Sequence, residues 1–423
     1  MTSQNKTFKK KFIYIYYIIL FIIVAFRQSE AAPNLFLRIA FLSAFFIPFI
    51  FFRKDFLPAS LICFMTVGTY GYAYNFFPYE MTIYPILCFI ILLITSKGNI
   101  CFNKSISFFL FIVFYIFIID FFDSGKLQNI LLSLSTILIC GSLIQRKEQF
   151  VTLSMFYCFT IISFTISTIY LLNYDRFITS YNLADGIERS GWVDPNYLST
   201  IIGMGIVTSV ILLLQHKKAN TFEKLFYIIT IGISIITQLL LASRGGILSV
   251  CGTIIIIFFF TKIPRKYKIS IILCLILFII WLYQNDYFTL LEYRIENDEG
   301  TGSGRTDIWE TKLKLFYEQD NILNWIFGKG FQSAFELGAK DSVLGFHNDF
   351  IAILCGYGLI GILLFLYILY LPIKISSKEK RAIIIALIFY LVLSCSTLEP
   401  ISAGRFTYFG FYFLTYLFAR YSI

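Results

Sequence analysis

The stretch PNYLSTIIGMGIVTSVILLLQHKKANTFEKLFYIITIGISIITQLLLASRGGILSVCGTIIIIFFFTK, residues 195–262, decides the fold. It holds three apolar runs, near 195–215, 222–243 and 245–261. A basic turn at Lys217 and Lys218 separates the first two, and the tight turn Ser243-Arg244-Gly245-Gly246 separates the second from the third. A bilayer core asks for about 20 consecutive apolar residues per helix, and each run comes near that length. Continuous runs of this kind predict helices, because strands of a membrane barrel alternate over ~10 residues and unpaired backbone groups cannot face lipid.

The same pattern repeats outward in both directions. Further runs lie near 11–27, 35–52, 56–76, 80–96, 106–122, 128–144 and 150–172, and then near 268–283, 347–371, 381–397 and 403–420. The reading is all-α: a polytopic membrane bundle of about fourteen transmembrane helices, with residues 1–423 as a single membrane domain. Composition agrees, since 58% hydrophobic and 19% aromatic residues with 14% charged cannot be hidden in a soluble core. Lys9 to Lys11, the apolar stretch to Phe26 and Ser29-Glu30-Ala31 also resemble a cleaved secretory signal; that alternative leaves the sidedness of every later loop unchanged.

Charge orients the bundle. With both termini in the cytoplasm, the inner segments carry +18 and the outer segments −8, which together make the net charge of +10. Retention of Lys and Arg on the cytoplasmic side is the expected topology signal. The basic balance therefore reflects topology and attraction to anionic membrane lipids, and no nucleic-acid partner is expected. Of the nine cysteines, Cys101 falls in an inner loop and the others within helices, so no disulfide framework or paired-cysteine metal site is expected outside.

The inner loops are too short for a nucleotide-binding fold, which argues against direct use of ATP or nucleotide sugars. Two outer segments are long, 173–194 and 284–346, and function is expected there. In the second, Asp307 and Glu310 have capping-box spacing, which predicts a helix start. Trp309, Leu313 and Phe316 would form its apolar stripe, with Lys312 and Lys314 pointing elsewhere. A second short element around Asn324 to Phe327 would end at Gly328-Lys329-Gly330.

Six outer residues are candidates for chemistry. Arg244 in the tight turn either snorkels to the headgroups or clamps an anion, because a guanidinium fork matches phosphate oxygens and a helix start offers free N–H groups. Arg305, after a glycine-rich stretch and before a predicted helix, has the same two readings: a solvated loop arginine or an anion ligand. His347 begins a helix at the outer boundary, where the positive helix end favours the neutral imidazole that a general base needs. Alternatively His347, Asn348 and Asp349 cap that helix. Asp194 and Asn196, around Pro195, either bind sugar hydroxyls or form a capped helix start. The second histidine, His216, reads as ordinary inner surface beside Lys217 and Lys218. No metal site or cofactor is expected.

His347-Asn348, nine further residues, then Gly358-Leu359-Ile360-Gly361 resemble the signature of the O-antigen ligase and O-antigen polymerase superfamily. Trp192-Val193-Asp194-Pro195-Asn196, Ser243-Arg244-Gly245, Gly304-Arg305 with Trp309, and Gly328-Lys329-Gly330-Phe331 also resemble that family, in the expected order. The resemblance spans 190–362. It implies a bacterial inner-membrane glycosyltransferase whose fold is similar to the ligases and to the peptidoglycan polymerases of the shape, elongation, division and sporulation group. It also implies a donor glycan on undecaprenyl pyrophosphate, and a flippase and chain-length regulator as partners. By position, Arg244 and Arg305 would hold the donor pyrophosphate, His347 would deprotonate the acceptor hydroxyl, and Asp194, Asn196 and Asn348 would contact substrate. A polymerase is favoured over a ligase. A lipid-linked oligosaccharide transporter is the alternative from another class, and it would need charges along a path through the bilayer.

Overall fold

The computed structural model describes residues 104–123, 149–172, 181–182, 188–189, 194–261, 265–296, 304–318, 321–337, 345–398 and 406–421, with isolated positions between 58 and 94. The runs expected at 11–27, 35–52 and 128–144, and most of those at 56–76 and 80–96, lie outside the described residues.

The described chain is built of helices. They are α1 (Lys104–Asp123), α2 (Gln149–Leu172), α3 (Pro195–Gln215), α4 (Thr221–Leu241), α5 (Arg244–Phe260) and α6 (Arg265–Gln284). Four loop helices follow: α7 (Thr289–Glu296), α8 (Arg305–Tyr317), α9 (Ile322–Phe327) and α10 (Phe331–Phe335). Three helices close the chain: α11 (Asp349–Ile375), α12 (Arg381–Thr397) and α13 (Phe406–Arg420). Among the described residues, α3, α4, α11 and the Val151–Leu172 part of α2 are long and apolar enough to cross a membrane, and α5 and α12 are shorter apolar helices. One departure from all-α is a hairpin pairing Tyr181–Asn182 with Glu188–Arg189.

α3 sits at the centre and is buried over most of its length, against α2, α4 and α5. Between lipid-embedded helices apolar area gives little net attraction, so small residues and interhelical hydrogen bonds hold the contact. Gly205 lets α2 approach so closely that a Cβ there would lie 2.0 Å from Ser163 Cβ. Ser163 Oγ donates to Ile202 O (2.9 Å) and shares a hydrogen bond with Ser234 Oγ of α4 (2.8 Å). α4 accordingly turns Thr230, Ser234, Thr237 and Gln238 inward and leaves Phe222, Leu225, Ile228 and Ile229 exposed. This arrangement is the reverse of a soluble helix.

His216 was expected on the surface and is instead buried. Its Nδ1 lies 3.3 Å from Tyr227 Oη and 3.4 Å from Tyr157 Oη. Tyr157 in turn donates to Glu223 Oε1 (3.0 Å). Glu223 and Asn220 complete a capping box at the start of α4. Tyrosines from two apolar helices therefore make a polar pocket that the basic neighbours Lys217 and Lys218 gave no sign of.

α11 is broken. Gly358 takes φ +65°, ψ −165°, which separates Asp349–Tyr357 from the rest of the helix. The Gly328-Lys329-Gly330 turn fills the break: Lys329 N–H donates to Cys355 O (3.4 Å) and Gly330 N–H to Gly356 O (2.8 Å). A Cβ on Gly358 would meet Ile326 O at 2.4 Å, so both its dihedral and its contacts demand glycine. Gly358→Ala is expected to destabilise the protein by more than about 2 kcal/mol. Gly232→Ala, whose Cβ meets nothing within 4 Å, is the neutral control. Heat-challenge survival in detergent, followed by size-exclusion chromatography, separates the two.

Candidate active site

Four segments distant in sequence meet at the end of the bundle where α3, α5 and α11 begin and α12 ends. The first is the start of α3. Asp194 caps it, its carboxylate accepting from Asn196 N–H (2.8 Å), and Pro195 occupies the first turn, where its missing N–H costs nothing. The side chain of Asn196 points across to the next segment, its Oδ1 accepting from Ser243 Oγ (3.0 Å).

Ser243 caps α5. Ala242 before it adopts a left-handed conformation, and this closes the turn so tightly that Arg244 becomes the first residue of α5. Gly246 packs on Ser199 and Gly245 on Thr397, where any Cβ would collide. These glycines bring α3, α5 and α12 together beneath Arg244.

Arg305 arrives from the long loop. α8 begins at Arg305, with Gly304 at φ +77° as its cap and no side-chain capping bond. The expected capping box at Asp307 and Glu310 is therefore corrected: a left-handed glycine starts the helix three residues earlier, and Asp307 lies exposed in its first turn. Arg305 Nη1 donates to Thr397 O (2.8 Å) at the carboxyl end of α12, where the helix dipole is negative. Burial lowers the Arg305 pKa from its usual value; Asp194 opposes that shift and Arg244 adds to it. An arginine stays charged through such shifts, so the site keeps fixed cations.

His347 precedes α11 and takes φ +49°, uncommon for a side chain of its size. Trp309 Nε1 donates to Phe346 O (2.8 Å), and Asn348 holds the other side. Asn348 Oδ1 accepts from the N–H groups of Phe350 and Ile351, and its Nδ2 donates to Ser396 O (3.2 Å). His347 Nδ1 is buried and, among the described residues, has no hydrogen-bond partner. The His347 pKa is lowered first by burial and then by Arg305, with Asp194 acting the other way. The direction matches the sequence expectation, but burial and a neighbouring cation are the causes here. At neutral pH the imidazole is uncharged, as a general base requires.

Arg305 thus senses Asp194 and Arg244, and His347 senses Arg305 and Asp194. Asn196 reaches the same place through Ser243. Sequence reasoning missed the carboxyl end of α12, whose carbonyls of Ser396, Thr397 and Leu398 receive Asn348, Arg305 and Asp349. Backbone carbonyls carry no residue-type signal.

Lys312 was expected to point away and is instead buried. Its Nζ donates to Phe335 O (2.5 Å) and lies over the rings of Phe335 and Phe346. It ties α8 to α10 and to the segment that carries His347.

Residues 229–366 match the family model described as O-antigen ligase. The match covers 138 of the chain's 423 residues, and this segment is similar to that family. The matched segment contains Arg244, Arg305, His347 and the α11 break, while Asp194, Asn196 and α12 lie outside it. Members of the matched family are glycosyltransferase-like enzymes acting on lipid-linked glycans. No curated protein matches the chain.

Proposed function

We propose that the protein belongs to the O-antigen ligase and polymerase superfamily and is a bacterial surface-polysaccharide polymerase, joining a glycan carried on a polyprenyl diphosphate to a lipid-linked repeat unit. The observation that supports it most is the meeting of two arginines with an uncharged histidine at one end of an apolar bundle. A leaving diphosphate needs fixed positive charge, and a sugar hydroxyl needs a base.

In this reading Arg244 and Arg305 hold the donor diphosphate, and His347 takes the proton from the acceptor hydroxyl. The freed oxygen attacks the anomeric carbon of the donor. The carbon–oxygen bond to the diphosphate breaks, and its electron pair leaves on the lipid diphosphate beside the arginines. Asp194 favours the imidazolium that forms, and its exposed carboxylate also suits a sugar hydroxyl. We assign Asn196 and Asn348 to holding Arg244 and His347 in place, because their side-chain oxygens are bonded within the fold.

Asp194-Pro195-Asn196 and the Ile-, Phe- and Tyr-rich composition favour a polymerase. The His347 to Gly361 motif and the matched family's description also suit a ligase passing glycan to lipid A-core. Gene deletion followed by gel analysis of surface glycan decides between them. A single repeat on the core is expected; naked core with accumulated lipid-linked polymer would instead establish the ligase.

A further inference from the structure

A helix interrupted inside an apolar bundle leaves carbonyls without their i+4 donors, and such breaks persist only where other groups satisfy them. The break at Gly358 is satisfied from outside α11. Gly330 N–H takes Gly356 O and Lys329 N–H takes Cys355 O. Tyr115 Oη of α1 donates to Tyr357 O (2.8 Å) and lies equally close to Phe327 O (3.0 Å).

One turn further along α1, Asp120 uses both carboxylate oxygens on this junction. Oδ2 accepts from Tyr357 Oη (3.0 Å), and Oδ1 accepts from the N–H of Phe331 (3.1 Å), the first residue of α10. An acid near the end of an apolar helix thus grips the last residue before the break and the turn that fills it.

The half-helix Asp349–Tyr357 is a rod of nine residues, roughly 13 Å long. Its near end is anchored by Asp349 N–H on Leu398 O and by Asn348 on Ser396 O, and it carries His347. Gly358 decouples its far end from the rest of α11, so the far end is set by Asp120, Tyr115 and the glycine turn.

We propose that Asp120 is a positioning residue for glycosyl transfer: by holding Tyr357 and Phe331 together it fixes the half-helix and so aims His347. The catalytic part of this proposal rests on the function proposed above. Displacements of about 1 Å at a base cost up to ~10²-fold in rate.

The test uses the full-length protein in detergent or proteoliposomes with Asp120→Asn, Tyr357→Phe and the double variant. An amide in place of the carboxylate keeps shape but loses the charge and puts an NH2 group where one acceptor oxygen stood, which weakens the grip on one of the two donors. The two histidines provide an internal comparison: carbethoxylation by diethyl pyrocarbonate is followed at His347, with buried His216 as the reference. Asp120→Asn is expected to change the His347 rate about threefold or more while leaving His216 unchanged, and to lower kcat about tenfold with KM within twofold. The double variant should be no worse than the weaker single, since both remove one interaction.

A His347 rate that stays at the wild-type value, or one that changes only together with His216, overturns the proposal. So does a double variant whose losses multiply. Lack of glycan transfer by the wild type overturns the glycosyltransferase reading and the kinetic part of this one, and the His347 modification rate then decides alone whether Asp120 aims the histidine.

Discussion

His347→Asn is expected to lower glycan transfer by about two to four orders of magnitude while leaving the protein folded, because a general base contributes on that scale. Asparagine is the informative replacement. It tolerates the left-handed backbone at φ +49° better than most residues, and it cannot accept a proton near neutral pH. Little stability should be lost, since among the described residues His347 Nδ1 has no hydrogen-bond partner for the substitution to remove. Transfer is measured with lipid-linked substrate, and folding by survival of the monodisperse species on heating.

The pH profile of the wild type follows from the same group. His347 titrates below the usual histidine value of 6.5, so its neutral form should persist, and the acid limb of kcat/KM should lie below pH 6.5. The stability linkage has a definite sign. The unfolded chain binds the proton more tightly than the folded one, so this contribution is complete above pH 6.5 and is lost as pH falls through the lower folded value. A limb at or above pH 6.5 would remove His347 from the role.

Arg305→Lys and Arg244→Lys should each lower kcat by about 10²-fold, although charge is retained. Arg305 presents a fork of donors; Nη1 is committed to Thr397 O, and the fork holds further N–H groups in a geometry that a single ammonium cannot reproduce. Arg244 stands on the first turn of α5, where lysine would offer a point charge in place of the planar fork. A loss confined to KM would indicate that the arginines bind donor and transition state equally, whereas loss in kcat places them on the leaving diphosphate. Wild-type kinetics in both variants would end the anion-clamp assignment.

The helices at 195–215 and 381–397 were legible to the residue, because apolar length and clear polar ends decide them. The candidate residues were legible for a related reason: Arg244 and His347 are polar groups at helix ends of an apolar chain, and Arg305 stood out between a glycine-rich stretch and a predicted helix start. Their convergence was not legible. It depends on glycines letting α3, α5 and α12 cross closely and on Gly304 launching α8 toward the carboxyl end of α12. The two misread residues fail in the same way. Lys312 and His216 have polar neighbours in sequence, but their burial is decided by Phe335 and Phe346 in one case and by Tyr157 and Tyr227 in the other. Aromatic side chains in apolar runs read as core packing, and their carbonyls, hydroxyls and ring faces are invisible as partners until the chain is folded. The break in α11 was not legible in the sequence; the dihedral at Gly358 and the inserted 328–330 turn required the structure.

The most direct measurement reconstitutes the purified chain in proteoliposomes with a polyprenyl-diphosphate-linked repeat unit and follows glycan length together with released lipid diphosphate. Wild type is expected to form longer glycan with one lipid diphosphate released per new linkage, and His347→Asn and Arg305→Lys to lose both signals in parallel. Glycan extension by His347→Asn at the wild-type rate, in folded protein, would contradict the assignment of these residues to one glycosyl-transfer site.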